Sequence, residues 1–204
     1  MNESTEAKIA IHNWTVPIYA GFADVTFFNH AGTHYDPPSH LIVGAANADD
    51  EPLEKFVGPG VYLDLRQRAL GEELRRSDFE NRVPAHTFVV VLVNSTKDDC
   101  AYLGGEAAEY LARLPIRGYA TNAWTIANPK QFPKVKALRN SGQMADSRAL
   151  FPEHHALLSR DIPNIEGLTN LEALAGQKEF LFVGLPIKVE KGTGAPVRAA
   201  AFLY

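Results

Sequence analysis

His30-Ala-Gly-Thr-His34-Tyr-Asp36-Pro-Pro-Ser-His40 places three imidazoles and one carboxylate within eleven residues. His30 and His34 stand four apart, a spacing that on a helix would put both on one face. Gly32, Pro37 and Pro38 argue against a helix, since proline lacks a backbone donor and drives the residue before it to extended conformations. The apolar run Val25-Thr-Phe-Phe28 just upstream reads as a strand, so the motif belongs to the turn and extended segment after it. Side chains repeat every two residues along an extended chain, which points His34 and Asp36 the same way. Gly32 lets the backbone bend so that His30 joins them. His40, past the two prolines, reaches the same pocket from its rim. A sheet-based site is expected, not a helical one.

Neutral imidazole and carboxylate are ligands that suit Zn²⁺ and Mn²⁺ alike. An isolated histidine would need no such explanation, but three of them with an aspartate around Gly-Thr and Pro-Pro ask for one. His40 beside a metal supplies a proton shuttle, because imidazole titrates near neutrality. The expectation is a metal-dependent hydrolase centre. Nucleophilic serine or cysteine catalysis finds no support: no Gly-x-Ser-x-Gly elbow occurs, and Cys100 follows two aspartates that discourage a thiolate.

The rest of the composition narrows the setting. A chain of 204 residues is long enough for one well-cored domain and short for two, and no repeat or low-complexity linker divides it, so residues 1–204 read as a single domain. Twenty basic against 24 acidic residues give a net charge of −4, which argues against nucleic acid as a partner. The one cysteine allows no internal disulfide and suits a reducing compartment. The start, Met-Asn-Glu-Ser-Thr-Glu, lacks the apolar core of a signal peptide, and the longest apolar run, Phe88 to Val93, suits a buried strand and not a membrane span. The triplets at Asn13 and Asn94 that resemble glycosylation sites are then coincidental. A cytoplasmic protein acting on a small molecule is expected, with no membrane partner.

Strands are expected at Val61–Leu65, Thr87–Val93, Arg117–Thr121, Phe180–Leu185 and Val197–Leu203, the last two joined through Lys191-Gly-Thr-Gly194 as a hairpin. Helical periodicity marks Gly105–Leu114, Leu150–Leu158 with Pro152 near its start, and a short Leu168–Leu174. Helices and strands alternate in mid-chain while strands dominate the ends, the pattern of a mixed α/β domain. Glu153-His154-His155 opens the second helix, and Glu166 follows on the extended Ile162-Pro-Asn-Ile-Glu166. A helix and a returning strand can bring His154 and Glu166 together. Glu166 could equally cap the short helix after it.

The string His30-x-Gly-Thr-His34-x-Asp36-x-Pro-x-His40 resembles the signature of the cyclase family of metal-dependent hydrolases, which includes bacterial kynurenine formamidases and isatin hydrolases. Pro52–Val61, Ile165-Glu-Gly-Leu-Thr-Asn-Leu171, Leu185-Pro-Ile-Lys188 and Ala195-Pro-Val-Arg198 resemble later blocks of that family, so the likeness runs from about Val16 onward. It implies a β-barrel-like sheet core flanked by helices, often described as swivelling β/β/α. It implies that His30, His34 and Asp36 hold a first divalent ion, Zn²⁺ or Mn²⁺. Asp36 would bridge to a second ion held by His154 and Glu166, giving one or two ions per chain. His154 takes that role and not His155, because it stands twelve before the glutamate, as in the family. His40 matches the histidine assigned as general acid/base, and a homo-oligomer, dimer or tetramer, is implied.

Two departures concern the substrate pocket. Relatives carry a longer insertion between the segment resembling Val16-Pro-Ile-Tyr-Ala-Gly21 and the signature, and they usually show aspartates at the positions of Asn122 and Ala127. The expected reaction is hydrolysis of a small amide, cyclic amide or lactone, as in an arylformamidase or amidohydrolase. Trp124 is the candidate substrate-lining aromatic, whereas Phe27, Phe28 and Tyr35 read as core and Arg198 as an ion-pair residue within the fold. A metal-dependent cyclase or dehydratase without net hydrolysis, and a non-catalytic metal-binding domain, would use the same ligands.

Overall fold

A computed structural model describes residues 10–14, 22–140 and 147–204. Ala10–Trp14 (β1) and Phe22–Thr26 (β2) pair antiparallel as a ribbon, and His34–Asp36 (β3) follows with a 3₁₀ turn at Pro38–His40. Then come Val57–Asp64 (β4), Glu73–Leu74 (β5), Phe88–Leu92 (β6) and Tyr102–Leu103 (β7), the helix Gly105–Arg113 (α1), and Gly118–Thr121 (β8). Helices Phe132–Asn140 (α2), Ser147–Leu150 (α3) and Pro152–Leu158 (α4) precede Asn164–Glu166 (β9), Phe180–Pro186 (β10) and Ala195–Leu203 (β11).

Seven strands close into a barrel in the order β10-β11-β3-β9-β8-β6-β4. Neighbours from β4 through β6 and β8 to β9 run parallel, with the helices in the β6–β8 and β8–β9 crossovers, while β9-β3-β11-β10-β4 is antiparallel throughout. The barrel-like core flanked by helices that the sequence resemblance implied is thus the observed architecture. The expected hairpin through residues 191–194 is the β10–β11 pair.

Strand β6 shows why this arrangement suits the sequence. All five residues of Phe-Val-Val-Val-Leu are buried, as a strand covered on both faces requires. Phe88, Val90 and Leu92 join Tyr35, Ala120, Ile165, Phe180 and Phe182 inside the barrel. Val89 and Val91 pack outward with Leu63, Tyr119, Ala108, Leu111 and Leu157 beneath the helices. Each buried Val, Leu, Ile or Phe among them contributes about 1.5–3 kcal/mol. Helix α1 buries Ala107, Ala108, Leu111 and Ala112 on one face, and it packs on α4, which begins with Pro152 where a missing donor costs nothing.

Two local expectations differ, and one helix was not expected. The strand upstream of the motif ends at Thr26 instead of running to Phe28. Residues 168–174 form only a 3₁₀ turn, Leu171–Leu174, because Asn170 at φ 60° is left-handed and interrupts any α-helix there. Helix α2 carried too little apolar periodicity to be anticipated. The Val16–Gly21 segment lies outside the described residues. Among the described residues no helix is long and apolar enough to cross a membrane.

Candidate metal centre

Strand alternation builds the site. Tyr35 on β3 and Ile165 on β9 point into the barrel, so His34, Asp36, Asn164 and Glu166 point out of it, towards the layer that holds α4 and His154. The antiparallel register places His34 opposite Glu166 and Asp36 opposite Asn164. Two glycines allow the close approach of this seam. Gly32 is left-handed (φ +64°), giving the bend expected of it, and Gly167 (φ +70°) lies so near that a Cβ there would sit 2.4 Å from the Gly32 carbonyl oxygen. The Thr33 hydroxyl ties the two segments by donating to the Gly167 carbonyl at 2.7 Å.

His34 Nδ1 lies 2.9 Å from the Gly32 carbonyl oxygen. A carbonyl only accepts, so Nδ1 carries the proton and Nε2 turns to the site. There it faces Asp36 Oδ1 at 3.4 Å and Glu166 Oε2 at 3.5 Å. Ligand atoms about 2.1 Å from a tetrahedral Zn²⁺ are separated by about 3.4 Å, so these three atoms fit around one divalent ion. They form one cluster able to hold a metal, and His30, Asp36 and His40 form another. His30 Nδ1 is 2.8 Å from Asp36 Oδ1.

The other oxygen of each carboxylate turns the opposite way. His154 Nε2 is 3.2 Å from Glu166 Oε1 and 3.6 Å from Asp36 Oδ2, while its Nδ1 is 3.2 Å from Glu153 Oε1. Asn164 Nδ2 donates to Asp36 Oδ2 at 2.9 Å and Glu166 Oε1 at 3.0 Å, and the Ile126 backbone N–H donates to Glu166 Oε1 at 2.8 Å. Glu153 and Asn164 are the site residues that the sequence reading did not single out. For Asn164 the signal existed: it stands two before Glu166 on a strand and so shares its face.

Charge is balanced within this buried group. Burial opposes ionisation of Asp36, but hydrogen bonds from His154, His30 and His34 outweigh it and hold the carboxyl well below the usual carboxylate range. Burial likewise disfavours a charged His34, yet the hydrogen bond and charge of Asp36 and the charge of Glu166 raise it to about 9. His154 moves well upward: burial again resists, and Asp36, Glu153 and Glu166 prevail. Both shifts favour positive charge on the imidazoles beside the carboxylates, the charge that a divalent cation would supply.

His40 differs. Burial lowers it, Asp36 pulls it back, and the charges of His154 and His30 bring it down to about 4. It is therefore neutral at pH 7. Its ring lies 4.4 Å from that of His30 and 5.9 Å from that of His154, centroid to centroid. His30 and His40 are partly exposed, His30 by 16% of its side chain, while His34, Asp36, His154 and Glu166 are buried, so the site meets solvent on the side of these two histidines.

Trp124 does not touch the histidines directly. Its ring stacks on Phe132 at 5.3 Å, Phe132 meets Phe151 at 5.8 Å, and Phe151 meets His154 edge-on at 5.8 Å. Tyr35 is core, packed on Phe56, whereas Phe28 is 66% exposed and lies 5.8 Å from the His30 ring. Asn122 accepts from Val93 N–H at 2.8 Å and donates to Val93 O at 3.0 Å, a pairing that an aspartate could not complete. Ala127 is fully buried.

The chain resembles known proteins in sequence and in fold. Residues 5–128 match the family model "Cyclase", described as "Putative cyclase". The chain is 31% identical over 183 residues to a kynurenine formamidase of Salinibacter ruber, covering 83% of this chain and 74% of that one. It is 24% identical over 202 residues to an isatin hydrolase of Roseibium aggregatum, covering 85% and 72%. In fold it superposes on isatin hydrolase A from Ralstonia solanacearum with a TM-score of 0.74 at 20% identity, over 97% of this chain and 82% of that one. A predicted metal-dependent hydrolase from Bacillus stearothermophilus gives 0.70 at 24%, over 96% and 87%.

Proposed function

Because this chain belongs to the cyclase family of metal-dependent hydrolases, we propose that it hydrolyses the C–N bond of a small amide, an aryl formamide or a cyclic amide, with a lactone as the oxygen counterpart. One observation carries the reading. His34 Nε2, its ring pinned by the Gly32 carbonyl, converges with Asp36 Oδ1 and Glu166 Oε2 at separations that match ligands of one divalent ion. His30, His34, Asp36, His154 and Glu166 would hold the metal, and their mixed imidazole and carboxylate donors suit Zn²⁺ or Mn²⁺. Bound there, a divalent cation lowers the pKa of water towards neutrality and polarises the scissile carbonyl.

The remaining chemistry belongs to the chain. His40, neutral at pH 7 and beside His30 on the open side, takes a proton from the attacking water. As the C–N bond breaks, it returns that proton to the departing nitrogen. The aromatic series Trp124, Phe132 and Phe151 lies next to His154, and Phe28 lies next to His30; both are surfaces on which an aryl group would stack.

His40→Ala is expected to keep its metal content and to lose about 10²–10⁴-fold in turnover of a formanilide. An unchanged rate would reject the role of His40. Product mass tests the reaction itself. A gain of one water across a panel of formamides, cyclic amides and lactones is expected, whereas a product formed without that gain would replace hydrolysis by cyclisation or dehydration. Bound metal with no turnover of any panel member would indicate a non-catalytic site.

A further inference from the structure

Asn164 sits between the two carboxylates, and nothing in the hydrolytic scheme uses it. It is fully buried on β9, fixed opposite Asp36 by the strand register and on the same face as Glu166. Its single amide nitrogen donates to both carboxylates, at Asp36 Oδ2 and Glu166 Oε1. The partner oxygens, Asp36 Oδ1 and Glu166 Oε2, are those that face His34 Nε2. Its carbonyl Oδ1 is buried with no hydrogen-bond partner among the described residues. The amide is thus oriented by the two anions and not by any donor to its own oxygen.

We propose that Asn164 is a positioning residue for the metal centre: its amide clamps one oxygen of Asp36 and one of Glu166, and so presents the other two to an ion beside His34. The inference rests on the reading of this site as a divalent-metal centre. The residue type follows from the task. Two anions must be bridged by two hydrogens from one point, without a positive charge that would compete with the cation. A primary amide does this; a hydroxyl has one hydrogen, and an ammonium carries charge. The Ile126 backbone N–H adds a donor to Glu166 Oε1, and His34 and His154 face both carboxylates as candidate ligands, so Asn164 is the neutral amide that ties the two together.

The test compares Mn²⁺ binding by wild type, Asn164→Leu, which has similar volume and no donor, and Asn164→Ser, which keeps one donor and guards against failure of the leucine variant to fold. Loss of a residue that orients metal ligands costs about 10–100-fold in affinity, and this loss is expected for Asn164→Leu, with Asn164→Ser between it and wild type. The paramagnetic resonance line shape of bound Mn²⁺ should change as the carboxylates turn. The rise in melting temperature on adding Mn²⁺ should shrink, whereas a merely structural role would lower the melting temperature equally with and without the ion. Wild-type affinity and an unchanged spectrum in both variants would overturn the inference while leaving the metal centre intact. A wild-type chain that takes up neither Mn²⁺ nor Zn²⁺ would instead sink the parent reading, and this inference with it.

Discussion

At the scale of the residue, two acceptors set the states of the two buried imidazoles. The Gly32 carbonyl fixes His34, and Glu153 Oε1 receives Nδ1–H of His154, so that both Nε2 atoms face the carboxylates. Glu153→Leu should weaken metal binding by about 10–100-fold, and Glu153→Gln, which retains an acceptor, should lose far less. Competition with a chelating dye measures both, and equal affinities for Leu and Gln would contradict the orienting role. Cys100 offers an independent check on burial. Burial first, then the charges of Glu166 and Asp99, push its thiol up to about 12, so it should stay unreactive to a disulfide reagent at neutral pH until the chain unfolds. His30, His34, Asp36 and His40 were legible in the sequence because one short extended segment carries them all. His154 and Glu166 needed the family likeness, since no local pattern ties a helix start to a distant strand. Glu153 touches the site through His154, and no local pattern marks it; Asn164 is marked only by standing two before Glu166 on one strand, a sign that counts once that glutamate is assigned.

Elements were legible where burial is double-sided or amphipathic. β6 and α1 announce themselves as an apolar run and a periodic face. The strands that carry the site do not, because β3 and β9 are three residues each and hold polar side chains on their outward face. Their pairing depends instead on the Gly32–Gly167 approach. Gly167→Ala would combine a left-handed φ with a Cβ 2.4 Å from the Gly32 oxygen, a contact that forces β3 and β9 apart. A loss of about 1–3 kcal/mol in unfolding free energy is expected from the backbone conformation alone, together with weaker metal binding. Denaturant titration and metal competition on one sample would show whether the two losses go together, and stability lost at full metal affinity would refute the link.

For the whole molecule, the buried charges make stability depend on pH and metal jointly. His34 is raised above its ordinary 6.5 to about 9, so in metal-free protein its contribution is complete below about pH 6.5 and disappears as pH rises through about 9. The upward shift of His154 has the same sign. A divalent ion replaces those protons, and its affinity climbs over the same interval. Melting curves with chelator should therefore fall between about pH 6.5 and about pH 9, while curves with saturating Mn²⁺ should not; parallel curves would count against the assignment. The seam that joins β3 to β9 has a further consequence. Asp36 and Asn164 meet across 128 positions of chain, in a barrel that closes only through such distant pairings. Contacts of that span form slowly. A ribosome delivers the histidine-rich stretch long before its glutamate counterpart, so a nascent polypeptide could grip an ion only loosely. Tight uptake then belongs to the last moments of maturation, and during refolding a fluorescent zinc sensor should register capture after circular dichroism has levelled off.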